Sequence, residues 1–192
     1  MELEEIMQEP WLPSEATIRL MKSIVESVEF QRGDMLVEQD RRSKHFFIIK
    51  EGVCRSFYID DNYEDTNLFA KDGDIIGSIS AYFRNEPAYF SIEALTQMKV
   101  LRISFEQLNE AMADNDELSR WVRDLLFGQL DALERRYTYR TGRNDAYSRY
   151  LSMVKKWPHK SLNDVPLKYI AQYLQITPQT LSRIRRKYLK QK

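Results

Sequence analysis

The 192-residue sequence is short of the residues that build covalent and metal chemistry: it holds one cysteine and two histidines. Cys54 alone can form no internal disulfide and no four-thiolate zinc or iron–sulfur site. His45 and His159 stand far apart, so a cupin-type enzyme, which needs clustered histidine and carboxylate ligands, has no support and no metal is expected. No Ser/His/Asp set and no phosphate-binding P-loop occurs either, so the expectation is a protein that is not an enzyme. Glycine and proline number six each, which excludes collagenous and low-complexity classes, and 43% hydrophobic with 30% charged residues is an ordinary globular composition. No stretch approaches the roughly 18–20 apolar residues that span a bilayer. The start carries Glu2, Glu4, Glu5 and Glu9, where a secretory leader needs basic residues and then an apolar run. A cytoplasmic location with no membrane partner is expected.

Charge of one sign is scarce at the carboxyl end. Residues 155–192 hold ten basic residues and one acidic residue, Asp164, a net of +9, while the whole chain is neutral. An acidic body joined to a basic end points to a polyanion-binding module.

Along the chain, Trp11, Ile18, Leu20, Met21, Ile24 and Val25 recur at roughly helical spacing over 1–27, and Pro13-Ser14 offers a helix start. From Val28 to Ile103 short runs of valine, isoleucine, phenylalanine and tyrosine alternate with turn residues. They predict strands at Met35–Val37, His45–Lys50, Val53–Ile59, Thr66–Ala70, Phe90–Ala94 and Val100–Ile103. Gly33-Asp34, Gly52, Asp60-Asp61-Asn62 and Gly73-Asp74 punctuate them. Such spacing suggests an antiparallel β-roll or sandwich. Ser104 with Gln107 has capping-box spacing. A long helix is then predicted over about 116–140, with Leu126, Leu130, Leu133 and Tyr137 at intervals of four, three and four, and Leu118, Val122 and Leu125 on an adjacent stripe. That stripe can pack on a second copy of the chain, so Leu118, Val122, Leu126, Leu130, Leu133 and Tyr137 are the expected homodimer interface. Gly142 and Asn144-Asp145 mark a hinge, and a short helix carrying Tyr147, Tyr150, Leu151, Val154 and Trp157 ends at Pro158. The expected division is 1–115, a β-roll with an amino-terminal helix; 116–142, a dimerisation helix and hinge; and 143–192, a DNA-binding unit.

The sharpest local pattern runs from Val165 to Tyr188. Ile170, Ala171 and Leu174 give one helix an apolar face, and Gln175-Ile176 makes a short turn. Thr177 is a good N-cap and Pro178 fits the first helical position. Leu181 and Ile184 then point inward, leaving Gln179, Ser182, Arg183 and Arg186 on the other face. Two short helices with a tight turn have helix-turn-helix geometry, whose second helix enters the major groove of double-stranded DNA. Arginine reads guanine, glutamine reads adenine and serine reads either. Arg183 is the expected principal reader, and Lys187 and Lys190 the phosphate contacts.

In this order of parts the chain resembles the cyclic-AMP receptor protein / fumarate-nitrate regulator (CRP/FNR) family, over almost its whole length. The resemblance rests on Phe30-Gln-Arg-Gly33-Asp-Met-Leu36, Phe47-Ile-Ile-Lys-Glu-Gly52 and Lys71-Asp-Gly73-Asp-Ile-Ile-Gly77, followed by the long helix and the helix-turn-helix. It implies an α+β fold: a cyclic-nucleotide-binding-type antiparallel β-roll, a long dimerisation helix and a carboxyl-terminal helix-turn-helix. It implies a transcriptional regulator that pairs two subunits on a palindromic DNA site and that can contact RNA polymerase. The competing function is a β-roll ligand sensor acting mainly through protein partners.

The sequence departs from the family at the effector site. Cyclic-AMP-binding members read Gly-Glu-Leu, then Arg-Ser/Thr about ten residues on. Here Gly77-Ser78-Ile79 and Ala88-Tyr89 stand at those places. These five residues form the expected effector pocket, without the ribose-binding glutamate and phosphate-binding arginine, and Arg84 is read as a solvated loop residue. Burying a phosphate anion without its guanidinium is costly, so cyclic AMP is not the expected effector and no cofactor is assigned. Gln175 occupies a turn position where the family often has glycine. The family's β-hairpin wing is expected to be absent after Lys192, so the basic tail itself would meet phosphates.

Overall fold

In a computed structural model the described residues are 1–61, 63–141, 145–157 and 163–190. Asn62, the hinge positions Gly142 and Asn144, and Pro158, His159, Lys160 and Lys192 lie outside them. The helices are α1 (Leu3–Ile6), α2 (Glu15–Ile24), α3 (Ile79–Arg84), α4 (Phe105–Ala113), α5 (Asp116–Thr141), α6 (Ala146–Lys156), α7 (Leu167–Tyr173) and α8 (Pro178–Lys190). The strands are β1 (Glu26–Phe30), β2 (Met35–Val37), β3 (His45–Glu51), β4 (Cys54–Asp60), β5 (Tyr63–Ala70), β6 (Ile75–Gly77), β7 (Ser91–Ala94) and β8 (Met98–Ser104).

The strands form two four-stranded antiparallel sheets, in the orders β1-β8-β3-β6 and β2-β7-β4-β5. Period-two alternation in β3 and β8 aims Ile49, Met98 and Val100 into one core with Ile92 of β7. Phe46, Ile48, Leu101 and Ile103 point the other way, toward α1, α2, α4 and the first turns of α5. Two glycines are required by close approach. At Gly52 φ is +112°, and a Cβ would stand 2.7 Å from the Gln97 carbonyl oxygen; at Gly77 it would stand 2.4 Å from the Phe46 ring.

Side chains set the helix starts. The Ser14 hydroxyl accepts from Thr17 N, Ser104 from Gln107 N at 3.1 Å and Asp145 from Ser148 N at 2.8 Å. The amino-terminal segment straps α5 to the roll: Trp11 Nε1 donates to Asp124 at 3.0 Å and Trp121 Nε1 to the Met7 carbonyl at 3.2 Å.

Four expectations are corrected. The helix expected over 1–27 is two helices, and residues from Glu26 already pair with β8. Strand β6 appears where no strand was expected. Residues 79–84 are helical, so Arg84 ends a helix and is not a loop residue. Leu118 leaves the dimer-interface set: it is 0% exposed, packed with Trp121 inside its own core, and Val122 packs against the same cluster. No helix among the described residues is long and apolar enough to cross a membrane.

Candidate DNA interface and β-roll cavity

Helices α7 and α8 are joined at Leu174-Gln175-Ile176. Gln175 turns the chain in the left-handed region, φ +53°, while Ile176 N returns to the Ala171 carbonyl at 3.0 Å. That backbone state explains why glycine suits the position. Ala171 is buried where the helices meet. The Thr177 hydroxyl accepts from Thr180 N at 3.1 Å, and Pro178 opens α8. Leu181 and Ile184 are buried against Tyr150, Met153, Val165 and Leu174. Gln179, Ser182, Arg183, Arg186, Lys187 and Lys190 are all exposed on α8. Two carry local contacts. The Ser182 hydroxyl donates to the Pro178 carbonyl at 3.0 Å, and the Lys187 ammonium lies 4.4 Å from the centre of the Tyr147 ring. Among the described residues no carboxylate forms an ion pair with Arg183 or Arg186.

A buried arginine docks this unit on the roll. Arg55 of β4 is 2% exposed. Its Nε donates to Glu93 of β7 at 2.7 Å; Nη1 and Nη2 donate to the two oxygens of Glu64 of β5 at 2.8 and 3.2 Å; Nη1 also reaches the Thr66 hydroxyl at 3.1 Å. The guanidinium sits between Phe57 of the roll, 4.0 Å from the ring centre, and Tyr169 of α7, 3.6 Å. Gln172, on the same face of α7, donates to the Glu64 carbonyl at 2.9 Å and accepts from the Thr66 hydroxyl at 2.8 Å. The Arg55 hydrogen bonds hold the Glu64 carboxyl below its ordinary range. Phe69 of β5 adds ring contacts to Trp157 and Tyr173.

The other side of the roll holds a cavity of about 430 Å³, lined by β4, β5, β6, β7 and the outer half of α5. Gly77 and Ile79 of the expected pocket line it. The other three expected residues do not. Ser78 is buried, its hydroxyl accepting from Ala81 N as the α3 cap; Ala88 is buried in the roll core; Tyr89 is exposed and donates to Glu86 at 2.8 Å. The lining that sequence reasoning missed comes from alternate positions of β4 and β5, including Cys54, Ser56 and Asn67, and from Gln129. Among the described residues no arginine or lysine lines the cavity. Cys54 is a buried core residue and burial pushes its thiol up, so it is held neutral; burial likewise lowers His45, with Arg102 adding to the effect.

On α5, Leu130, Leu133 and Tyr137 are 51%, 52% and 71% exposed, and Leu126 is half-buried. Phe127, which the sequence stripe omitted, is exposed beside them.

Residues 27–115 match the family model of the cyclic nucleotide-binding domain. The chain has a CRP/FNR-like fold. FixK2 from Bradyrhizobium japonicum superposes with a TM-score of 0.77 at 17% identity, over 88% of this chain and 86% of that one. CLP, a cyclic-di-GMP-responsive global regulator of Xanthomonas campestris, gives 0.71 at 14% identity over 93% of both chains. A protein from Eubacterium rectale, described as a transcriptional regulator of the CRP/FNR family, gives 0.69 at 16% identity over 93% of this chain and 84% of that one. No curated protein matches the sequence.

Proposed function

We propose that the chain is a homodimeric, sequence-specific DNA-binding transcriptional regulator of the CRP/FNR type and that it does not respond to cyclic AMP. The observation that carries the reading is the outer face of α8, where Gln179, Ser182, Arg183 and Arg186 stand exposed on a capped helix at the basic end of a neutral chain. These side chains can hydrogen-bond base edges, and Lys190 can meet phosphate. Lys187 can do the same by leaving the Tyr147 ring. Leu126, Leu130, Leu133 and Tyr137 form the seam between subunits, which places two recognition helices for half-sites about one helical turn apart. The chemistry is binding, with no catalytic step. The absence of a cation from the described lining of the cavity argues against a cyclic phosphate as effector. Selection from a random duplex pool tests the reading: a palindromic consensus is expected, and enrichment of no sequence would redirect the basic end toward an acidic protein partner.

A further inference from the structure

The cavity and the helix-turn-helix share one wall. Strands β4, β5 and β7 send alternate side chains to opposite faces of their sheet. On β4, Cys54 and Ser56 line the cavity, while Arg55 faces α7. On β7, Ile92 lines the cavity and Glu93 holds Arg55. On β5, Asn67, Leu68 and Ala70 line the cavity, while Glu64 and Thr66 contact Gln172. Ser56 pairs with Leu68 and Phe57 with Thr66, so Asn67 is the extra residue of a bulge.

The lining also says what fits. Its volume lies within the range of small-molecule sites. Among the described residues it holds no charged side chain, and its apolar lining includes Phe46, Ile76, Phe90, Ile92 and the α5 leucines. Ser56 is 4% exposed and aims into the cavity. Neither its hydroxyl nor the Asn67 amide has a side-chain hydrogen-bond partner among the described residues. Burying an anion here would leave it without a counter-charge, whereas one or two neutral polar groups would find Ser56, Asn67 and Gln129.

We propose that the cavity binds an uncharged, largely apolar small molecule with one or two hydrogen-bonding groups, and that the β4–β5–β7 wall carries its presence to α7 through Arg55. The purpose of that coupling rests on the DNA-binding reading above; the binding and the coupling do not. A ligand hydrogen-bonded to Ser56 or Asn67 fixes the bulge. The two paired strands at the bulge carry Arg55 on β4 and Thr66 on β5, which contact Tyr169 and Gln172.

The test uses the full chain without DNA, so its failure is separate from failure of the regulator reading. N-Phenyl-1-naphthylamine, an uncharged fluorescent aromatic amine, is titrated into wild type, Asn67→Trp and Gln129→Trp. One saturable site per chain is expected, weakened at least tenfold in both variants, and an excess of cyclic AMP does not displace the probe. Absence of saturable binding, wild-type affinity in both variants or displacement by cyclic AMP would overturn the ligand class. Amide exchange over 167–173 is then compared with and without probe. Slowing on binding is expected in wild type and not in Gln172→Ala, which keeps its probe affinity. The same exchange with and without probe in wild type would overturn the coupling.

Discussion

Replacing Arg55 by methionine keeps much of the side-chain volume and removes the guanidinium. The loss is not one surface ion pair, worth at most about 1 kcal/mol. The Arg55 side chain is 3% exposed, and it holds Glu64 and Glu93, whose side chains are 32% and 18% exposed. Without it two carboxylates face each other at the edge of a low-dielectric layer, and the Tyr169 ring loses its cation. Breaking a buried pair in this way costs about 3–5 kcal/mol. For a chain of this length that corresponds to a fall of roughly 6–20 °C in Tm. The pH dependence carries a sign. The Glu64 carboxyl is held below its unfolded value, so its stabilisation is present above the ordinary carboxylate range, roughly pH 4.3, and is lost as pH falls through the lowered value. The difference between wild type and Arg55→Met should therefore shrink on acidification below that range. Thermal unfolding followed by circular dichroism at several pH values measures both. A loss under about 1 kcal/mol at neutral pH, or a difference that widens in acid, would refute the reasoning.

Three further outcomes follow from the same structure. Leu130→Glu with Leu133→Glu, both exposed on α5, should yield folded monomers by sedimentation; a wild type already monomeric at tens of micromolar would remove the seam. Thr177→Ala deletes the α8 cap and should cost about 1 kcal/mol in chemical denaturation, with Thr177→Asp restoring it. Calorimetry with cyclic AMP should detect no micromolar binding, since the arginine–phosphate contact absent from the described lining of the cavity is worth about 1.5–3 kcal/mol by itself.

Local chemistry made much of this fold legible. Ser104 with Gln107 and Thr177 with Pro178 are start signals whose geometry depends only on neighbours in sequence, and both cap the helices expected of them. The β-roll followed from alternation and turn glycines. Strand β6 spans only Ile75–Gly77, too short to show a period, and β1 reads Glu-Ser-Val-Glu-Phe, whose pairing comes from β8. The α5 stripe is visible in sequence, but a stripe does not state which chain covers it: its amino-terminal part, with Leu118, lies against its own roll, Leu133 lines the cavity while staying half exposed, and Leu130 is exposed outside it. Of the aligned effector positions Gly77 and Ile79 do line the cavity, but most of its wall comes from β4, β5, β7 and α5, which the aligned motif does not mark. Arg55 gave no signal, because arginine is ordinarily exposed and its partners lie 9 and 38 residues away.

Sequence reading by α8 turns on Arg183. Fluorescence anisotropy should be measured for wild type and Arg183→Ala on a selected palindromic duplex and a scrambled one, at about 50 and 200 mM salt. A bidentate guanine contact contributes roughly 1–3 kcal/mol, and a dimer makes two. Arg183→Ala should lose one to several orders of magnitude on the palindrome, with near-unchanged binding to the scrambled duplex and an unaltered salt slope. Equal losses on both duplexes, with a shallower slope, would contradict this and assign Arg183 to the phosphate backbone.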